Sequence, residues 1–323
     1  MTSSRVFCTF ACLAAFAASA QAGDRSAINR RTGLVEPPLS DLRKAAERGD
    51  RAELARVTTR LGPARVAKAL QDSDRRTVLA ALDAVPMLTS AILLLEDVLP
   101  LIASTDEGLR ARAVHTASVL LATNDSARFE EWEVAEETAR AICQALAAVA
   151  ANENEAMPTR LLAIQGLSDA PALCVALRKT AELLAAREPE IRRAAVLGLL
   201  SDSTPRSMLV TAAKDHNGSV AAAAGARLCA RQARPLPTEP PLRQLALAEG
   251  ALPEDIIAIL PCLAASKDPA DVKAIEALKS RGTASVREAV GHLHEKTHCP
   301  LAPDLPNIIG VLGRHGEPER VMF

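Results

Sequence analysis

The stretch Arg187-Glu-Pro-Glu-Ile-Arg-Arg-Ala-Ala-Val-Leu-Gly-Leu-Leu-Ser-Asp202 limits what this chain can fold into more than any other. Pro189 fits the first turn of a helix, where its missing N–H costs nothing and its φ is already helical. Glu188 and Glu190 suit the positive end of the helix dipole. Ile191, Ala194, Ala195, Gly198 and Leu199 follow at the spacing of one helical face. Val196, Leu197 and Leu200 widen that face until little polar surface remains. A short helix that is apolar nearly all round must be covered on more than one side. Gly198 costs about 1 kcal/mol against Ala inside a helix, a cost that a close neighbouring backbone would justify. The segment therefore predicts a helix sandwiched between two neighbouring helix pairs.

The segment also recurs. Arg160, Ala163, Gly166, Leu167, Ser168 and Asp169 repeat Arg192, Ala195, Gly198, Leu199, Ser201 and Asp202, with one residue's difference before the serine. Weaker copies are Arg75 to Leu82, Leu109 to Ala117, Val220 to Leu228 and Val286 to Leu293. A recurrence of about 33 residues with helical signals throughout is the signature of stacked helix pairs.

On these residues the chain resembles the HEAT-repeat α-solenoids, in particular the bacterial HEAT-like type also found in phycobilisome lyase-related proteins. Asp268-Pro-Ala-Asp-Val-Lys-Ala-Ile-Glu-Ala-Leu278 and Ser285-Val-Arg-Glu-Ala-Val-Gly-His-Leu293 carry the likeness best, as first helix, turn and Val-Arg second helix. It covers roughly residues 60–297 and implies an all-α, HEAT-like α-solenoid of roughly seven stacked helix pairs. It implies little about function, because such folds host many partners.

The expected order begins with a secretory signal peptide over 1–22. Arg5 is its positive start, Val6 to Ala18 its apolar run and Ala20-Gln-Ala22 its cleavage site. A flexible leader follows over 23–39, then the solenoid over 40–298, with a Pro-rich joint at 233–241, and a tail over 299–323. Helix pairs are expected at 63–71 with 74–85, 90–103 with 106–123, 128–151 with 156–168 and 171–187 with 189–200. Three more are expected at 205–214 with 219–232, 241–249 with 253–265 and 269–280 with 284–297. A short capping helix over 40–49 and a second over 50–61 precede them. No stable membrane span is expected once the leader is removed, since Glu96, Asp97 and Pro100 interrupt the most apolar later run.

The whole chain has a formal net charge of −1, no Tyr and one Trp. Neither charge nor stacking favours nucleic acid. There is no Gly-x-Ser-x-Gly, His-Glu-x-x-His or phosphate-cradling Gly loop, so the expected role is non-catalytic and without cofactor. Arg110, Arg160, Arg192 and Arg287 share one repeat position, with Arg112 and Arg193 beside them. They form either a basic stripe for an anionic protein or peptide partner or a structural ladder bonded to carbonyls and acids of neighbouring turns. After leader removal Cys143, Cys174, Cys229, Cys262 and Cys299 remain, an odd number without Cys-x-x-Cys. An exported chain permits disulfides, but buried free thiols are the expectation within apolar helices. Asn217-Gly-Ser219 matches a glycosylation sequon and also reads as an interhelical turn. His292, His294, His298 and Cys299 have metal-ligand chemistry. His292 points about 200° away from His294 on a helix, so at most His294, His298 and Cys299 converge. The expectation is an exported scaffold, periplasmic or secreted; the alternative is a metal-dependent or lyase-like accessory activity at that His/Cys cluster.

Overall fold

The helices begin where the local chemistry asks for it. Asp50, Asp74, Asn217 and Asp268 each accept a backbone N–H of the following turn through their side chains, which satisfies donors that a helix start leaves orphaned. Pro63, Pro189, Pro253 and Pro269 occupy first helical positions. The computed structural model describes residues 38–123, 136–169, 178–200, 205–231, 240–266 and 268–296. These contain sixteen α-helices, two 3-10 turns and no strand. The protein is all-α and built of HEAT-like helix pairs. Two compact units are present, residues 1–146 with 170–175, and 147–169 with 176–323.

In the first unit, α1 (Leu39–Glu47), α2 (Arg51–Leu61), α3 (Pro63–Leu70) and α4 (Arg75–Ala84) precede 3-10 turns at Val85–Met87 and Ala91–Leu94. Then come α5 (Leu95–Ile102), α6 (Glu107–Thr123) and α7 (Glu136–Ala151), within which the unit boundary falls. α1 packs on α4 and α4 on α6, giving a row of three, while α2 packs on α3 and α3 on α5. The helix expected over 90–103 is split. Its start is a 3-10 turn, and α5 begins just before Glu96 and Asp97, two acids that suit a first turn.

In the second unit, α8 (Met157–Asp169), α10 (Pro189–Leu199), α12 (Gly218–Ala230), α14 (Pro253–Ala265) and α16 (Ala284–Lys296) are second helices, each packed on the next. Their first helices, α9 (Thr180–Leu184), α11 (Arg206–Ala212), α13 (Leu242–Ala246) and α15 (Pro269–Arg281), pack against this row. The expected sandwich is present: α10 lies between α8 and α12, with Ile191, Ala195, Val196 and Leu199 buried. At Gly198 the close neighbour is a small side chain rather than bare backbone, since an added Cβ would lie 3.1 Å from Ser168 Cβ.

α12 carries this logic furthest. From Val220 to Ala226 every residue is buried, because α10, α11, α13 and α14 all pack on it. Only small side chains fit such a position. A Cβ at Gly225 would lie 2.8 Å from Leu245 Cδ1 and 3.1 Å from Ile259 Cδ1. Asn217-Gly-Ser219 is the turn into this helix, with Asn217 Oδ1 accepting from Ser219 N. No helix among the described residues is long and apolar enough to cross a membrane. The expected leader, most of the joint at 233–241 and the tail lie outside the described residues.

Candidate functional site

A helix leaves its last carbonyls without internal partners. In four repeats an arginine at the fourth position of the second helix donates to carbonyls at the end of the first helix or in the turn that follows it. Arg110 Nη1 donates to Ser104 O at 2.7 Å and Arg287 Nη1 to Gly282 O at 2.7 Å. Arg160 Nε donates to Ala150 O at 3.0 Å, and Arg192 Nη1 to the carbonyls of Ala186 and Arg187 at 2.9 and 2.8 Å. Each arginine thus closes the turn from first to second helix, and its positive charge meets the negative end of the first helix.

Two of them continue into the next repeat. Arg160 Nη1 donates to Glu188 Oε1 at 2.9 Å, at the start of α10. Arg192 grips Asp215 with Nε and Nη2 at 2.7 and 2.9 Å, ahead of α12. Burial pushes the Asp215 carboxyl up, but Arg192 and the Asn217 N–H outweigh it and hold it below the usual carboxylate range. Arg160 is 2% exposed and Arg192 5%. The guanidiniums of these two are bonded to internal carbonyls and carboxylates and leave little surface for a partner to touch.

Arg193 reaches further. Its guanidinium donates to Asp255 Oδ2 at 2.9 and 3.2 Å and to Glu254 Oε1 at 3.1 Å, on α14. Asp255 is 3% exposed, and burial raises its carboxyl above the usual range despite Arg193. The first unit holds similar pairs closer to solvent. Arg43 bonds Asp74. Arg75 bonds Asp106 at 2.6 Å, and this bond, with the Leu109 N–H, holds the Asp106 carboxyl down to about 2.

Arg112 belongs to a different constellation, which the sequence alone did not reveal. Its Nη1 donates to Asp83 Oδ1, on α4, at 2.6 Å. Asp83 lies within electrostatic reach of Arg112 and, when it is protonated, His115 on α6, and of Arg51 at the start of α2. Burial nevertheless raises its carboxyl above the usual range. Burial also lowers the His115 imidazole, helped by Arg112. His115 itself is exposed. Arg112 and His115 are three apart on one helix face, and Asp83 precedes Arg112 by 29 residues. That offset of nearly one repeat was the available signal.

The cysteines also depart from expectation. Cys229 and Cys262 form a disulfide with a Cα–Cα distance of 5.8 Å. Cys143 is likewise disulfide-bonded. The expectation of buried free thiols is therefore corrected at all three. The separation of 33 residues places Cys229 and Cys262 one repeat apart, so adjacent second helices bring them face to face. Of the candidate metal ligands, His294 lies in α16 but its side chain is outside what is described, as are His298 and Cys299. Among the described residues no group of three or more His, Cys, Asp or Glu is placed to hold a metal ion. Between α8 and α10, Leu161, Leu197 and Gly198 help to line an open groove of about 360 Å³ without an ionisable side chain.

No family model matches the chain, and no curated protein matches it. Among solved structures it is similar to the crystal structure of the archaeal HEAT-like repeats protein from Thermococcus onnurineus NA1, at 14% identity and a TM-score of 0.42. The match covers 80% of this chain and 99% of that one.

Proposed function

We propose that this protein is an exported, non-catalytic scaffold, periplasmic or secreted, that holds a protein or peptide partner along the face of its second helices. In a HEAT-like solenoid that face is the concave one. The observation that carries the reading is the row α8, α10, α12, α14 and α16. It is braced by ion pairs between repeats and stapled by Cys229–Cys262. Such bracing keeps an extended surface pre-organised, which lowers the ordering cost of binding. The disulfides support export, because they persist in oxidising compartments. Of the arginines named from the sequence, Arg112 and Arg287 are exposed and remain available to a partner.

The test places a photo-crosslinking residue at Gln165 or Arg287, on second helices, and at Leu93 or Val272 for comparison. All four positions are exposed. Adducts from the second-helix positions are expected in the protein's own cell envelope. Adducts from the comparison positions alone would move the interface, and none at any position would sink the scaffold reading. N-terminal sequencing of the exported chain should begin at Gly23. The phycobilisome lyase-related side of the resemblance enters only as scaffold geometry. Stoichiometric zinc in untagged protein, lost in the His294→Ala, His298→Ala double variant, would promote the metal-dependent alternative.

A further inference from the structure

We propose that the exposed cluster of Arg51, Arg112 and His115 around Asp83 binds carboxylates of an acidic peptide segment. This rests on the scaffold reading and names the chemistry of its partner. Helices α2 and α6 of the first unit both pack on α4; α2 carries Arg51, α4 carries Asp83, and α6 carries Arg112 and His115. Arg51, Arg112 and His115 are exposed, while Asp83 is partly buried beneath the Arg112 bond.

The arrangement suits a monovalent oxyanion. An arginine has five N–H donors in a planar fork. Arg112 commits Nη1 to Asp83 and keeps 46% of its side-chain surface open. Asp83 fixes the fork's orientation, so little rotamer freedom remains to be lost when a ligand arrives. Arg51 adds a second cation and His115 a titratable donor. The carboxylate already present offsets one of these charges and leaves a positive excess that an acidic segment can meet. The chain's single Trp and lack of Tyr leave little for bases to stack on, which argues against nucleic acid as the occupant.

The charge balance also predicts a pH dependence. The groups acting on His115 are Arg112 and Arg51, which disfavour its protonation, and Asp83, which favours it. Together with burial they leave it lowered from 6.5, hence mostly neutral at neutral pH. A carboxylate bound beside the ring adds a negative charge and raises it again. Binding therefore tightens as the pH falls, by roughly tenfold for each pKa unit gained.

Fluorescence anisotropy of labelled octa-aspartate with the full mature chain tests this. Readings at pH about 5.5 and about 7.5 bracket histidine titration, and salt from about 0.02 M to about 0.2 M screens exposed charges. Tighter binding at the lower pH and weakening by salt are expected. Arg51→Glu should weaken binding, His115→Gln should remove the pH dependence, and Arg76→Glu, an exposed charge elsewhere on α4, should change neither. NMR should show the His115 imidazole pKa rising when the peptide is added to wild type, a readout that needs no variant. No octa-aspartate binding, binding indifferent to Arg51→Glu and His115→Gln, or tighter binding of single-stranded DNA would each overturn the proposal. If photo-crosslinking still yields adducts after such a failure, this ligand chemistry falls while the scaffold reading stands. If both fail, the scaffold reading falls as well.

Discussion

The two units use the same pairing of arginine with a carboxylate near the start of a later helix, yet the pairs live in different surroundings. Arg75 and Asp106 of the first unit keep 54% and 35% of their side-chain surfaces in solvent. Arg192 and Asp215 of the second keep 6% and 12%. Water and salt screen the first pair, so it contributes little beyond setting local geometry. The second has exchanged its hydration for fixed partners, and removing one leaves the other stranded in a poor solvent. The same kind of pair therefore does not imply an equivalent contribution to stability.

The sharpest way to break this comparison is to truncate one member of each pair. Arg192→Ala should cost about 3–5 kcal/mol, the loss typical of a buried pair broken on one side, whereas Arg75→Ala should leave the urea midpoint nearly unmoved. Equal midpoints for the two variants would show that burial does not separate the units. A second test removes the staple from the second unit. Replacing Cys229 and Cys262 by serine should cost about 2–4 kcal/mol through the freed unfolded chain, read by urea unfolding under oxidising conditions. Under a reductant the variant and wild type should converge.

Glycines sharpen the contrast further. At Gly225 an added side chain meets Leu245 and Ile259 in the core, so Gly225→Leu should cost about 1–3 kcal/mol by overpacking. At Gly108 the nearest obstacles are the Arg75 guanidinium, 2.6 Å from an added Cβ, and the Asp106 carboxylate at 3.3 Å. The exposed arginine can swing aside. Gly108→Ala should therefore be neutral or stabilising, by at most about 1 kcal/mol of helix propensity, in the same urea unfolding.

The smallest effect is a divergence in acid titration. Asp106 is depressed to about 2, so its contribution is complete above 3.8 and is lost as the pH falls through about 2. Asp255 is raised above 3.8. The folded chain holds its proton more tightly than the unfolded chain, so its contribution is greatest at low pH and declines as the pH rises through the raised value. Carboxyl carbon NMR should find the two groups titrating on opposite sides of 3.8. Coincident titrations would remove the electrostatic difference between them.

Much of this organisation is legible in the residues. Pro189 and the apolar girth of Ile191 to Leu200 announce a covered helix, and Asp268-Pro269 announces the start of α15. The arginine position is legible as a repeat, but its depth is not. A fork that touches carbonyls of the preceding turn and a carboxylate of the next repeat is buried by both, and pattern alone cannot say whether such a residue faces in or out. Arg51, Asp83 and His115 escaped notice for a related reason. They lie far apart in sequence and meet only after α2, α4 and α6 have packed. The Cys229–Cys262 spacing was readable from the repeat length, but buried thiols and paired thiols look alike within an apolar helix.

Arg193 leaves one further consequence. A repeat array is usually described as a one-dimensional chain in which each unit feels only its immediate neighbours, so that stability sums over units and interfaces. The bond from α10 to Asp255 on α14 passes over α12, and so couples next-nearest neighbours. In this stretch the simple sum should fail, and the units should melt as a block. Excising the α11–α12 pair would change more than length: Arg193 and Asp255 would lose the spacing that lets them meet. The array here has a fixed count, unlike a solenoid that tolerates units gained or lost by duplication.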